Sequence, residues 1–364
     1  MPSSSTLRQA VGQLLIMGFD GVEPSERLTK LLQSLRPGGV ILFARNVDTP
    51  RQVHSLLRSC QKSVSTPLFR CVDMEGGVVD RLKKAVAPAP SAAGVFASGQ
   101  KKFFRRHGAL IGAECSALGF NTDFAPVMDL AFVPSRSVLG SRAVSAQEKS
   151  ASLYAREFLA GLRAAGVLGC GKHFPGLGEA ALDTHNALPS VPKPFKLLWQ
   201  QDLAPYRALH RQLTFVMVAH CAYPAVSGDS LPASLSAKWI DDILRRKIGY
   251  RGLVICDDLE MGGVLAAGSI EHAAVESLRA GADMFLVCQT EENVQRAWES
   301  VLRAAEADPE FARRVRQAAA RVVAQKKQLR NLKKFSPPPT RKIVERLQRA
   351  LAEFSASLPA ASAL

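Results

Sequence analysis

The chain has no C-x-x-C pair, no unbroken apolar run as long as ten residues, and no Gly-rich dinucleotide fingerprint after an early strand-like segment. Each absence removes a class of protein. A membrane-spanning helix needs about 20 consecutive apolar residues, so no transmembrane segment is expected. The seven cysteines (Cys60, Cys71, Cys115, Cys170, Cys221, Cys256 and Cys288) are odd in number and scattered. That argues against a disulfide framework or zinc ribbon and suits a reducing compartment. The Ser-rich start carries no basic n-region, and residues 11–19 contain Gln and two Gly with no small-residue cleavage site close behind. No secretory signal is read there, and a cytoplasmic location is the expectation. The seven histidines form no dense ligand cluster with Cys or acids, so neither metal nor cofactor is expected. There is no internal repeat at the scale of a solenoid.

Acidic residues are also short: 32 Asp and Glu face 47 Lys and Arg, a formal net charge of +15 over 364 residues. Such an excess can mark a partner with many negative charges. Its location narrows that reading. Residues 311–349 hold 13 Lys and Arg with Glu345 as the one acid, a net of +12 that leaves +3 for everything else. A solvated basic helix face is favoured over a specific polyanion site, and no specific nucleic-acid partner is expected. With 47% hydrophobic and 22% charged residues, the chain is otherwise of ordinary globular composition.

Short apolar, β-rich runs fall at residues 14–19, 40–43, 68–72, 121–124, 167–172, 214–219, 253–256 and 284–287. Amphipathic segments of helical period lie between them, among them 24–35, 48–63, 102–119, 146–165, 236–247 and 271–280. Eight strand–helix units in one chain of this length predict a single (β/α)8 barrel, with an open doubly wound sheet as runner-up. The barrel is assigned to residues 1–334 and a basic, Pro-containing tail with a short helix to 335–364. Residues 291–334 read as one long helix or a broken pair. Residues 84–98 and 174–198 read as loops, and loops that long inside a compact domain are usually functional.

Working residues of a barrel collect at the C-terminal ends of its strands. Here those ends carry groups a core would reject: Asp73 and Glu75 after the third run, Asp129 after the fourth, Lys172 and His173 at the fifth, His220 at the sixth, Asp257 and Asp258 at the seventh. In the long loop after the fifth run, Asp183 and His185 stand two apart. A carboxylate so placed can orient an imidazole and raise its pKa, which suits general acid–base work. The strand Leu253-Val254-Ile255-Cys256 delivers Asp257 to the barrel mouth, as a carboxylate nucleophile requires. Asp258 is expected to cap the following helix. Cys256 reads as packing, and His220 with Cys221 as core or pocket lining.

The stretch KHFPGLGEAALDTH resembles the signature loop of glycoside hydrolase family 3 in its β-N-acetylglucosaminidase branch, K-H-[FI]-P-G-[HR]-G, four residues, then D-S-H. Four further blocks agree in order. VDMEGGVVDR resembles D-x-E-G-G-R-V-x-R, FNTDFAPVMDL resembles N-x-N-F-A-P-V-x-D, VLGSRAVS resembles I-G-D-R-S-F, and LVICDDLEMGG resembles V-I-x-S-D-D-L-x-M. Coverage runs from about residue 10 to 330.

The resemblance implies a retaining exo-β-N-acetylglucosaminidase that acts on terminal β-linked N-acetylglucosamine of peptidoglycan fragments during cell-wall recycling. It implies Asp257 as nucleophile, His185 as acid/base and Asp183 as its partner. It assigns Asp73, Arg81, Arg142, Lys172 and His173 to the sugar hydroxyls and N-acetyl group. Carboxylate and guanidinium groups are the bidentate partners that hydroxyls need, and an oxocarbenium-like transition state needs a carboxylate beneath it. The departures bear on substrate range: Val78 stands for Arg, Leu177 for His or Arg, Thr184 and Cys256 for Ser, and Ala143-Val144 for Ser-Phe. The alternatives are another β-glycosidase or an N-acetylglucosamine phosphorylase on the same scaffold, and an inactive barrel that binds polyanions through its basic tail.

Overall fold

Eight of the apolar runs become eight parallel strands that close on themselves. The computed structural model describes residues 4–359 except His185, Arg330, Asn331 and Lys333, with the backbone alone at Ser4 and Ser5. The strands are β1 Leu15–Met17, β2 Gly39–Leu42, β3 Phe69–Val72, β4 Thr122–Asp123, β5 Leu168–Phe174, β6 Phe215–Val218, β7 Leu253–Asp258 and β8 Met284–Val287. They pair in sequence order around the barrel, and β1 meets β8 with Leu15 opposite Phe285. This is a (β/α)8 barrel. Nearly every strand residue is buried, because the barrel interior and the helical layer cover both faces. The first, third, fourth and sixth strands are shorter than their apolar runs, while β5 and β7 extend past theirs to carry His173, Asp257 and Asp258.

The main helices are α1 Ser4–Gln13, α2 Glu26–Leu35, α3 Pro50–Lys62, α4 Lys101–Leu118, α5 Glu148–Ala164, α6 Ala204–Leu209, α7 Lys238–Lys247, α8 Ile270–Ala280, α9 Glu291–Ala307, α10 Pro309–Gln328 and α11 Arg341–Ala356. Residues 291–334 are a broken pair, and the break has a local cause. Pro309 has no N–H to continue α9, and the Asp308 carboxylate accepts from the N–H groups of Glu310 and Phe311 to start α10. The α4 and α5 helices approach closely at two glycines. A Cβ on Gly108 would stand 2.1 Å from Phe158 O, and one on Gly161 would stand 2.3 Å from Arg105 O.

A two-stranded hairpin, Met74–Gly76 with Val79–Asp80, follows β3. Its turn needs glycine, with φ +82° at Gly76 and +63° at Gly77. Asp80 ties it to the next loop by accepting the Ala89 N–H at 2.8 Å. That loop, residues 84–98, contains the short helix Ala92–Phe96.

The basic C-terminal segment lies on the barrel's helices. Leu347, Leu351 and Phe354 of α11 are buried, with Phe354 edge-on to Phe103 of α4 at 5.7 Å. The Arg70 guanidinium donates to Gly119 O, Leu332 O and Lys334 O and lies 4.0 Å from the Phe335 ring. At the opposite mouth from the strand C-termini, Lys326 of α10 is buried. Its ammonium donates to Gln13 Oε1 at 2.9 Å and Gly38 O at 2.7 Å, with no carboxylate between.

Burial pushes the Lys326 pKa down to about 7. The unfolded chain, with an ordinary lysine pKa near ~10.4, therefore binds more protons above that value than the fold does. Stability must then rise with pH through this window, by up to about 1.4 kcal/mol per pH unit from this group. Urea unfolding from about pH 7 to about pH 8.5, below the usual thiol range, is expected to show this rise in the parent relative to Lys326→Met. Parallel profiles would refute a strained buried ammonium.

Candidate active site

Lys172 decides the geometry of the strand C-termini. It lies on β5 with only 3% of its side chain exposed, and a buried ammonium requires anionic partners. Both come from just beyond β3. Lys172 Nζ stands 2.8 Å from Asp73 Oδ1 and 2.7 Å from Glu75 Oε1. Arg142, from the turn Gly140–Arg142 after β4, completes the cluster with two parallel bonds to Glu75, Nε to Oε2 at 2.7 Å and Nη2 to Oε1 at 2.9 Å. Burial opposes Glu75 ionisation, but the two cations outweigh it and hold the carboxyl below the usual range. The same carboxylates overcome burial to raise the Lys172 and Arg142 pKa values, so both stay charged.

His173 is oriented from behind. Its Nδ1 lies 2.6 Å from Asp129 Oδ2, and Arg142 Nη2 approaches its Nε2 at 3.4 Å. This arrangement fits a ring that donates at Nδ1 and accepts at Nε2. Asp129 also accepts the N–H groups of His173 and Leu177, which pins the start of the long loop to the end of β4.

Across the mouth, β7 brings in Asp257. One carboxylate oxygen, Oδ1, accepts the Asp258 N–H at 2.9 Å. Burial pushes the pKa of Asp257 up. His173, His220, that N–H and Lys172 push it down, and the net effect lowers it, so the group is ionised near neutrality. His220 is buried in the core, with Nδ1 2.8 Å from Ser234 Oγ and Nε2 3.0 Å from Asp258 O. Asp258 is not the expected helix cap. Met261, with no side-chain bond, precedes the short helix Gly262–Leu265, while the Asp258 carboxylate accepts from Glu260 N and Cys288 N. The end of β8 supplies donors nearer than the helix does. Burial, with Glu260 and Asp257 nearby, pushes the Asp258 pKa up to about 7. Cys256 is fully buried with its thiol pushed up to about 12, as packing requires.

These groups surround one cavity of about 150 Å³. Asp73, Arg81, Arg142, Lys172, His173, Asp183 and Asp257 all line it, so seven of the eight residues singled out in the sequence come together. The eighth, His185, lies outside the described residues. The volume is well below the roughly 300–1,000 Å³ of drug-sized pockets. It has room for one ring-sized group. Buried Arg81 Nε has no hydrogen-bond partner among the described residues, which leaves a donor beside the cavity. Leu177 forms an apolar part of the wall, and Val78 stands exposed on the hairpin. Among the described residues no three His, Cys, Asp or Glu converge as metal ligands.

The loop that carries Asp183 is fastened on both sides. Gly263 N donates to Thr184 O at 2.9 Å. Buried Lys193 bridges Asp202 at 2.7 Å and Glu179 at 3.0 Å, and Asp202 packs against Gly176. Sequence reasoning named Glu75 and Asp129 as strand-end acids but gave neither a site role. Their signal was the D-x-E-G-G and A-P-V-x-D blocks, where each stands in register with a residue already chosen.

The sequence profile of the glycosyl hydrolase family 3 N terminal domain matches residues 6–324. A β-hexosaminidase of Idiomarina loihiensis is 35% identical over 305 residues, covering 83% of this chain and 91% of that protein. A family 3 β-N-acetylglucosaminidase from Paenibacillus superposes with a TM-score of 0.88 at 34% identity, over 96% of this chain and 68% of that one. NagZ from Neisseria gonorrhoeae, solved in complex with N-trifluoroacetyl-D-glucosamine, superposes with a TM-score of 0.78 at 28% identity, over 94% of this chain and 97% of that one. The chain belongs to glycosyl hydrolase family 3, in its β-hexosaminidase branch, and is a glycoside hydrolase.

Proposed function

We propose that the protein is a retaining exo-β-N-acetylglucosaminidase with Asp257 as nucleophile and a His185–Asp183 acid/base pair. The observation that carries this reading is the ionised Asp257 carboxylate, held at the end of β7 in a one-ring cavity shared with Lys172, Arg142 and Arg81. Because Oδ1 accepts the Asp258 N–H, Oδ2 is the free oxygen for attack on the anomeric carbon. The Asp257–C1 bond forms as the glycosidic C1–O bond breaks, and His185 gives its proton to the departing oxygen. In the second half, His185 takes a proton from water, the water oxygen bonds to C1, and Asp257 leaves as carboxylate. Two inversions give net retention. An imidazole with a pKa near neutrality serves both halves, and Asp183 supports the imidazolium form.

The cation–carboxylate cluster supplies the sugar contacts. Asp73 and Arg81 have capacity to hydrogen-bond hydroxyls, and Lys172, held by two carboxylates, presents a fixed donor. A cavity of about 150 Å³ supports exo action, since it suits one sugar ring better than a run of several. As natural substrates we propose N-acetylglucosaminyl-anhydro-muramyl peptides, within peptidoglycan recycling in the cytoplasm. The β-hexosaminidase relatives support a terminal β-linked N-acetylhexosamine as the sugar removed.

Turnover of 4-nitrophenyl N-acetyl-β-glucosaminide tests the assignment. Asp257→Gly is expected to lose activity on the order of 10⁴-fold, and added azide is expected to restore turnover with an α-glycosyl azide as product. Near-normal turnover by that variant would sink the nucleophile. Inorganic phosphate is expected to leave the parent rate unchanged and to yield no sugar 1-phosphate.

Glu75→Gln removes the central charge from between Lys172 and Arg142. Breaking such a buried pair costs about 3 kcal/mol of stability. KM for the same substrate is expected to rise about tenfold or more, since roughly 1.4 kcal/mol of lost sugar binding already gives that factor. An unchanged KM in the folded variant would show that the cluster does not position the sugar.

A further inference from the structure

The net charge of +15 is only partly absorbed by the fold. In α10, Lys326 is buried at the barrel floor, Arg321 pairs with Asp283, and Arg314 donates to Leu278 O and Ala282 O. The cations of α11 are different. At about 100° per residue, Arg341, Lys342, Arg346 and Arg349 fall within an arc of roughly 140°, opposite the buried Leu347, Leu351 and Phe354. All four are exposed, and Lys342, Arg346 and Arg349 have no ion pair with another described residue. Two acids share that face, Glu353 and the Glu345 that pairs with Arg341.

Neighbouring elements add exposed cations to the same surface. Gln348 donates to Val86 O, which brings in Lys83 and Lys84. The Arg106 guanidinium lies 5.2 Å from the Phe354 ring, and Phe103 beside Lys102 packs on the same ring. Arg51 donates to Pro339 O. The α4 and α11 helices each begin with two cations and no acid in the first turn. That placement opposes the helix macrodipole, so helix formation does not account for it.

A second feature lies at the end of α11. An apolar groove of about 1010 Å³ runs between Phe96, Ala97, Leu139, Val144, Leu358 and Pro359. It backs onto the turn that carries Arg142. Small side chains at Ser141, Ala143 and Val144 form part of its wall.

We propose that this face docks on an anionic phospholipid bilayer, with the basic strip against headgroup phosphates and the groove taking acyl carbon. A polyanion such as RNA would satisfy the strip alone. It would also favour exposed aromatics for base stacking, and none of the exposed large hydrophobics among the described residues is aromatic. Lipid satisfies both features. The apolar side of α11 is already spent on the barrel, so attraction is chiefly electrostatic and salt-sensitive.

The test is co-sedimentation of the full chain with vesicles, either pure phosphatidylcholine or an equimolar mixture with phosphatidylglycerol. Binding to the mixed vesicles is expected to exceed binding to phosphatidylcholine by at least about tenfold and to fall as salt is raised. Lys342→Glu with Arg346→Glu and Arg349→Glu is expected to remove at least about tenfold of that binding. Turnover of the aryl substrate and the unfolding midpoint should not change, because those residues touch neither cavity nor core. Leu358→Asp is expected to weaken binding at high salt, where the groove's share is exposed. Equal binding to both vesicles, full binding by the triple variant, or stronger capture by duplex RNA would overturn the proposal. Unchanged high-salt binding by Leu358→Asp would overturn the groove's part in it.

Discussion

The active face is organised around one buried cation. Lys172 sits on a strand inside the barrel, where an unpaired ammonium is prohibitively expensive. Asp73 and Glu75 must therefore reach it from beyond β3, which fixes the hairpin that also holds Arg81. Glu75 has a second edge to satisfy, and the Arg142 fork fills it, so the turn after β4 is drawn into the same place. His173, the next residue, faces Asp129 and contacts Arg142. Three strand ends, those of β3, β4 and β5, are thus held in mutual register by charge, and the geometry proposed to bind the sugar follows from the need to neutralise one lysine.

Much of this was legible in the sequence, for reasons that differ from part to part. The barrel was readable because its apolar runs are short and alternate eight times with amphipathic segments of helical period, so that run length and order settle what periodicity alone does not. Of the residues that line the cavity, Asp73, Lys172, His173 and Asp257 were readable as polar groups at the ends of those strands, whereas Arg81 and Arg142 came from the resemblance alone. The pairings among them were not readable. Nothing in the order of residues says that Glu75 would take two cations while Asp73 takes one, because that depends on which strand ends face each other across the mouth. Asp258 shows the same limit. Its position before a short helix suggested a cap, but β8 places Cys288 N nearer than the helix N-terminus. Asp308-Pro309 is the opposite case, a boundary decided within a few residues and therefore visible locally.

The basic C-terminal region also divides along physical lines that charge counting does not see. Arg314 and Lys326 donate to backbone carbonyls and act as interior struts, because the ends of strands and helices leave carbonyl groups without partners. Lys342, Arg346 and Arg349 make no such bonds and stand outward. The same residue type does structural work in α10 and is displayed to solvent in α11, and the difference comes from which helical face each occupies.

The two adjacent carboxyls of β7 differ in the way the proposed chemistry requires. Asp257 meets two imidazoles, an ammonium and an amide N–H, and its pKa falls despite burial. Asp258 is raised to about 7 by burial first, with Glu260 and Asp257 adding to it. Environments that push neighbouring acids apart assign them different work. A strand ending in two full negative charges would repel the oxygens of an incoming sugar and destabilise itself. With Asp258 able to hold a proton near neutrality, Asp257 keeps its charge at smaller electrostatic cost. Lys172, which neutralises Asp73 and Glu75, adds to the effect of His173 and His220 in favouring Asp257 ionisation, so the proposed nucleophile is tied to the same cluster.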